Sequence, residues 1–391
     1  MRKFSIIIML LFCATFTYAQ KGKVTQAQSY FTAGKLDQAK KMIDEAIQHE
    51  ACINFDKAHF VKGQIYQAIF ESQVPEYKSL SADALDIAWK AFQKVIELDV
   101  KKKYEKKLAT QYSNLIIDFT NQAVENYNAE RFPEALASFK QVLELEHSPI
   151  VTQGQPAKVD TAVIFNAAVA AQRAGNLDDA EKFYKETLKY DYEAARTYAM
   201  LSKVLKDQGK EEEAVTYLHK GYELYPDDSY MLVELINYYL LGGEPEKAEV
   251  YLDAAIKQDP KNASFYRAKG TLYEKMEQPE KAEGMYVKAL ELDPKDFLAQ
   301  YNLGNIKLSV VIEFHKKVLD IADVNEYNKE MEKVFEGYES VIPYFEKALE
   351  LNPDEKNTVT TLKELYFKLR NKDPKYQEAY DVMKAKLDNI Q

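Results

Sequence analysis

Residues 287–296 read VKALELDPKD, and residues 346–355 read EKALELNPDE. The chain writes nearly the same ten residues twice, 59 positions apart. Self-similarity of this kind marks one structural unit used many times, so the period of the rest of the chain decides the fold. Ala180, Ala214, Ala248 and Ala282 stand 34 residues apart. Pro226, Pro260 and Pro294 keep the same step, each 12 residues after one of those alanines. Gly175, Gly209 and Gly243 form a third series. Gly270 and Gly304 form a fourth, carried back by Ser202 and Ala168 and interrupted by Ile236. A spacing of 59 is then one period of 34 with an insertion of 25.

The physics of this pattern is a helical hairpin. Small residues let two helices approach, because no side chain stands between them. A glycine ends the first helix where a left-handed backbone is wanted. A proline ends the second helix or opens the next. Between them, Ala282, Tyr286, Ala289 and Leu290 share one helical face. Composition agrees: 13 Gly and 12 Pro among 391 residues leave few helix breakers. The 28 Tyr and 19 Phe supply enough apolar surface to exclude disorder.

The order Gly270, Tyr273, Ala282, Tyr286, Ala289, Pro294 resembles the tetratricopeptide-repeat family, whose repeat has the same 34-residue length. The register runs both ways. Ala27, Tyr30, Gly34, Ala39, Ile43 and Ala46 mark a first hairpin. Gly63, Tyr66, Ala88, Phe92 and Val95 mark a second, and Ala123, Ala135 and Phe139 a third. Phe345, Ala348 and Pro353 mark an eighth, and Ala379 and Met383 a ninth. The resemblance implies an all-α fold of about nine antiparallel helical hairpins, stacked as a right-handed superhelical solenoid.

Breaks in the period divide the chain. Residues 1–19 read as a signal peptide: Arg2 and Lys3, an apolar run from Ile6 to Phe12, then Thr17-Tyr18-Ala19, with cleavage after Ala19. The apolar run is too short to span a bilayer, which takes about 20 residues. Cys13 follows Phe12, where lipoprotein signals resemble one another in carrying a small residue, so lipidation is not expected. Residues 20–149 form an N-terminal block of three repeats, with 13 extra residues near 67–80 around QVPEYKSLS. There Pro75 blocks helix and Ser81 is placed to cap the helix that follows. Residues 150–160 are either a kink between blocks or a plain surface loop, with Asp160 placed to cap the next helix. Residues 161–391 form a C-terminal block of six repeats.

The 25-residue insertion falls within 305–340. Val311, Phe314, Val318 and Ile321, then Met331, Val334, Phe335 and Tyr338, recur every three or four residues. The insertion therefore lengthens both helices of one hairpin, turning near Asp323 to Asn325. Each arm gains about 12 residues, roughly 18 Å. The extra turns either project from the stack or fold back on it.

Little in the chain points to chemistry. His49, His59, His147, His219 and His315 show no helical i, i+4 metal pair. His49, Glu50 and Cys52 cluster, but without a supporting shell. There is no phosphate loop, GxSxG turn or CxxC. No catalytic residue, cofactor or metal is expected. Losing Arg2 and Lys3 takes the formal charge from −10 to −12, which disfavours nucleic acid and anionic membranes. Cys52 is then the one remaining cysteine, either a buried small apolar residue or a free thiol.

Family resemblance implies that the first helix of each repeat lines a concave side, in a phase set by the small residue. That phase selects Phe165, Gln172, Arg173, Arg196, Lys203, Lys206, Asp207, Tyr230, Val233, Asn237, Arg267, Glu274, Lys275, Tyr301 and Asn305. Six are basic and two acidic, against an acidic background. Such a lining suits an acidic peptide or a terminal carboxylate. The same residues also fit ordinary solvated helix faces. The order of Arg196, Lys203, Asn237, Arg267 and Asn305 departs from the lysine–asparagine clamp of some family members. The expected function is an exported, periplasmic scaffold or adaptor for a protein partner. The rivals are a chaperone-like assembly factor with apolar and tyrosine-rich surfaces, and an enzyme with its site in an insertion.

Overall fold

A computed structural model describes residues 21–390. The expected leader and its cleavage after Ala19 lie outside the described residues. Among those residues the chain is helical, without a strand. It divides into two compact units, residues 1–217 and 218–391.

The first unit begins with a helix over 21–32 (α1), α2 (Leu36–Ile47) and a single turn, α3 (Glu50–Ile53). The second hairpin is α4 (Asp56–Glu71), the turn α5 (Pro75–Lys78) and α6 (Ala84–Leu98); the third is α7 (Glu105–Asn128) and α8 (Phe132–Glu146). A turn, α9 (Pro149–Thr152), leads to α10 (Thr161–Arg173), α11 (Leu177–Thr187) and α12 (Ala194–Asp207). The division between units falls inside α13 (Glu211–Leu224). The second unit continues with α14 (Ser229–Leu241), α15 (Pro245–Gln258), α16 (Ala263–Lys275) and α17 (Pro279–Leu292). It ends with α18 (Phe297–Leu319), α19 (Val324–Leu351), α20 (Lys356–Leu369) and α21 (Pro374–Asn389). These helices pair into the hairpins that the period predicts.

The punctuation residues explain the helix ends. Gly34, Gly175, Gly209 and Gly243 all have φ between +71° and +77°, the left-handed turn between the two helices of a hairpin. Glu130 and Glu277 hold the same conformation at φ +58° and +57° without glycine's freedom. Pro226, Pro260, Pro294 and Pro353 fall just past α13, α15, α17 and α19. Asp228, Asn262 and Asp296 then accept backbone N–H groups at the starts of α14, α16 and α18. Asp160 caps α10 in the same way, accepting from Ala162 and Val163. Ser81 does not cap α6: its hydroxyl donates to Asp83, which holds the cap position without a side-chain bond.

The alanine series Ala180, Ala214, Ala248 and Ala282 is fully buried. The small residue of each first helix faces an aromatic of the second. A Cβ on Gly63 would meet the Phe92 ring at 2.4 Å, one on Gly270 the Tyr286 ring at 2.7 Å, and one on Gly304 the Phe345 ring at 3.1 Å. Those pairs are 29, 16 and 41 residues apart, so the excess over 16 is the 13 and the 25 inserted residues.

The period break at 150–160 falls inside the first unit, where α8 and α10 pack on each other. Cys52 is buried within α3, and burial pushes its thiol up. The long α7 was not foreseen: its register shows only Ala123, while helix runs unbroken from Glu105.

The insertion continues α18 and α19 without interruption, to 23 and 28 residues. The turn falls at 320–323, slightly before the expected Asp323 to Asn325, with Asp323 accepting from Glu326 N–H at 2.8 Å. Lys307 pairs with Glu283 on the preceding hairpin, and Lys372 bonds Glu339 at 2.8 Å from the following one. Residues 309–319 and 324–336 form an arm of about 16 Å, whose His315, Glu332 and Glu336 lie near Lys368 and Lys372 of the next hairpin. The arm's buried residues share one core with α20 and α21. Val318 and Val334 are buried, and the bare Cα of Gly337 lets α18 close in: a Cβ there would sit 2.9 Å from Val311. Leu319 and Val324 at its tip are exposed. The inner part of the added turns thus packs with the next hairpin, and the tip stays exposed.

Candidate interaction surfaces

The first-helix residues selected from sequence divide between the two units. In the first unit they lie on α10 and α12. Phe165 is buried, edge-on to Tyr184 and Tyr192, so it is a packing residue. It still shapes the surface, because the Arg196 guanidinium lies over its ring at 5.4 Å. That contact joins the outer faces of α10 and α12. Arg196, Lys203 and Arg173 are exposed, as is Asp207. Lys206 is half-buried and already has a partner. Gln172 turns inward to accept from the Tyr184 hydroxyl at 2.8 Å. The result is an exposed guanidinium held on an aromatic platform, with Arg173 and Lys203 on the same pair of helices.

In the second unit several of the selected residues hold the repeats together. Arg267 Nε lies 2.8 Å from Asp296 Oδ2. The distance is that of an ion pair, but the N–H is not aimed for a hydrogen bond. The same Asp296 caps α18. Glu274 accepts from the Tyr286 hydroxyl at 2.7 Å. Tyr301 stacks on Phe297 and stands edge-on to Phe345. Tyr230, Val233, Asn237 and Lys275 are exposed, and Asn305 is half-buried.

The sequence reading missed the polar ties of the aromatic positions. Tyr286 bonds Thr271, Glu274 and Asn302, and burial, with the Thr271 bond opposing it and the Glu274 bond adding to it, lifts its hydroxyl above the ordinary tyrosine range. Tyr66 bonds both Asp44 oxygens, and Tyr366 bonds Glu346. An aromatic cluster in the second unit also escaped notice. Tyr239 stacks on Tyr251 at 5.7 Å, and His219 stands edge-on to Tyr239. No periodic signal announces it, because these positions vary from repeat to repeat.

No helix among the described residues is long and apolar enough to cross a membrane. No group of three or more metal-binding side chains occurs among them.

Three models of the tetratricopeptide repeat match the chain, over residues 165–229, 205–272 and 263–296. No curated protein matches it. Solved structures with a similar fold include YrrB, described as a tetratricopeptide-repeat protein with an unusual peptide-binding site. It is 24% identical, over 54% of this chain and 97% of YrrB, with a TM-score of 0.36. The C-terminal part of a repeat protein from Cytophaga hutchinsonii is 15% identical, over 69% of this chain and 94% of its own, with a TM-score of 0.49. MamA from Desulfovibrio magneticus is 22% identical, over 46% and 96%, with a TM-score of 0.34. The 34-residue register, the buried small–aromatic pairs and the matching models agree that residues 165–296 carry tetratricopeptide repeats.

Proposed function

We propose that the protein is an exported, non-catalytic scaffold that holds an acidic segment of a partner protein on the outer face of α10 and α12. Tetratricopeptide repeats serve in general as protein-interaction scaffolds; the partner's charge, the face and the export are this proposal's own. One observation carries it. Arg173, Arg196 and Lys203 are exposed on successive first helices of a chain whose formal charge is −10, and Arg196 is held by the Phe165 ring. A guanidinium fixed in place loses less freedom on binding a carboxylate than a mobile one. The α18–α19 arm, with Leu319 and Val324 exposed, offers a second contact.

The test is capture from an envelope extract by the chain lacking residues 1–19, beside a variant carrying Arg196→Glu and Lys203→Glu. One partner retained by the parent, lost by the folded variant and weakened by salt is the expected result. Retention of the same partner by the variant refutes this face. Excision of residues 312–336 then tests the arm.

A further inference from the structure

The first unit carries a second surface of opposite charge. Between α6 and α8, above the middle of α7, lies an open groove of about 690 Å³. It is built by helical spacing. Asp86, Trp89, Lys90 and Gln93 share one face of α6, and Glu134, Ser138, Gln141 and Glu144 share one face of α8. Phe119 and Gln122 of α7 form the base. The groove lies between consecutive second helices, away from the first-helix faces described above.

Its floor is aromatic. Trp89 is 5% exposed, packs against Tyr112 at 5.3 Å, and borders the groove beside Phe119. A buried indole N–H normally finds an acceptor. That of Trp89 makes no hydrogen bond among the described residues, and it is not one of the fully buried atoms left without a partner, so it is open to the groove. The walls carry amide groups with capacity to spare. Gln122 Oε1 accepts from Ser138 at 2.9 Å, which leaves its N–H₂ unbonded, and Gln141 Oε1 is buried without a partner. The rim holds three carboxylates, Asp86, Glu134 and Glu144, none of them in an ion pair, against one ammonium, Lys90.

We propose that this groove binds an extended polypeptide segment bearing lysine or arginine. Side-chain amides offer both a donor and an acceptor, as a peptide backbone requires. The Trp89 N–H and the Gln141 carbonyl are left for a backbone carbonyl and a backbone N–H. The alkyl stem of a lysine or arginine lies along the exposed edge of Trp89, and its charge reaches the rim carboxylates. Phosphate-rich ligands are repelled by the same carboxylates. The inference is independent of the basic face on α10 and α12, because the two surfaces select opposite charges.

Trp89 is the single tryptophan, so tryptophan emission reports on this groove. The full chain is titrated with a pool of end-blocked hexapeptides, fixed as lysine at two positions and randomised elsewhere. A saturable change in emission is expected, and none with the matching glutamate pool. Glu134→Gln combined with Glu144→Gln alters only exposed carboxylates, so helix content by circular dichroism is unchanged while affinity falls about tenfold. The proposal is overturned by no saturable response at millimolar lysine pool, by an equal response to the glutamate pool, or by undiminished affinity in the double variant. A response abolished by Arg196→Glu instead assigns the peptides to the α10 face and also overturns it.

Discussion

Gly270→Ala and Gly284→Ala lie in one hairpin and are expected to change stability in opposite directions. Both glycines sit within helices, α16 and α17, where replacing glycine by alanine gains about 1 kcal/mol of helix propensity. At Gly284 a new Cβ meets nothing within 4 Å, so the gain stands. At Gly270 the Cβ falls 2.7 to 2.9 Å from three atoms of the Tyr286 ring. The ring cannot swing aside, because it is fully buried and its hydroxyl is bonded to Thr271, Glu274 and Asn302. Forcing a methyl into such a contact costs about 1–3 kcal/mol, which outweighs the helix gain. Gly270→Ala should therefore be less stable than the parent by about 1 kcal/mol, and the two variants should differ by about 2 kcal/mol. Gly304→Ala falls between them, since its neighbours lie at 3.1 to 3.2 Å. Urea unfolding followed by far-UV circular dichroism measures the difference. Both changes lie in one hairpin of the second unit, so any complexity in unfolding is common to them. Equal midpoints, or a Gly270→Ala variant more stable than Gly284→Ala, would refute the reasoning that glycine is there to admit the ring.

Glu277 holds a left-handed turn that glycine holds in the neighbouring hairpins. Glu277→Gly should raise the urea midpoint by relieving about 1 kcal/mol of strain, less what glycine's added freedom costs in the unfolded chain. The same change at an ordinary helical residue lowers it. Glu181 bonds Lys185 and Lys210, each at 2.6 Å, and these bonds hold its carboxyl at about 2, below the unfolded value of 4.5. A depressed folded pKa contributes stability above the unfolded value, and that contribution is lost as pH falls through the folded one. Stability of the first unit should thus decline between about pH 4.5 and 2, and Lys210→Met should flatten that slope by no more than about 1 kcal/mol, read from midpoints across the acid range.

Much of the fold was legible because the packing rule is one-dimensional. Each hairpin contacts its neighbours in the stack, so a residue needed at one place is needed again 34 positions on. Ala282 and Gly243 could be assigned from spacing alone, to a fully buried slot and a left-handed turn. The surface follows no such rule. The phase that located Arg196 also selected Phe165, because a first-helix position tells which way a side chain starts and not what covers it. Arg267 was read as a groove residue, yet Asp296 lies beside it, and that residue belongs to the next hairpin's cap. Ser81 had a capping sequence, but Asp83 stood nearer the helix start. The groove of Trp89 was invisible for a further reason. It joins α6 to α8 across a long α7, and no residue of it repeats.

The two insertions show where an antiparallel hairpin admits new chain. Residues added at the turn leave every pair below it opposite its old partner, which is why Gly63 still faces Phe92 and Gly304 still faces Phe345. The 13 extra residues of the second hairpin, near 67–80, include Pro75 and the single turn α5, and Ile69, Phe70, Tyr77 and Leu80 of that stretch pack into the core of the first unit. The 25 of the eighth contain apolar residues at every third or fourth position, and Val318 and Val334 extend the core shared with α20 and α21. Ordering that arm costs conformational entropy in proportion to its length. The close approach at Gly337 and the capped turn at Asp323 keep it rigid, while Leu319 and Val324 stay uncovered at its tip. A rigid arm with an apolar tip presents a contact surface at low further entropic cost, which is why the proposed function gives it the second contact.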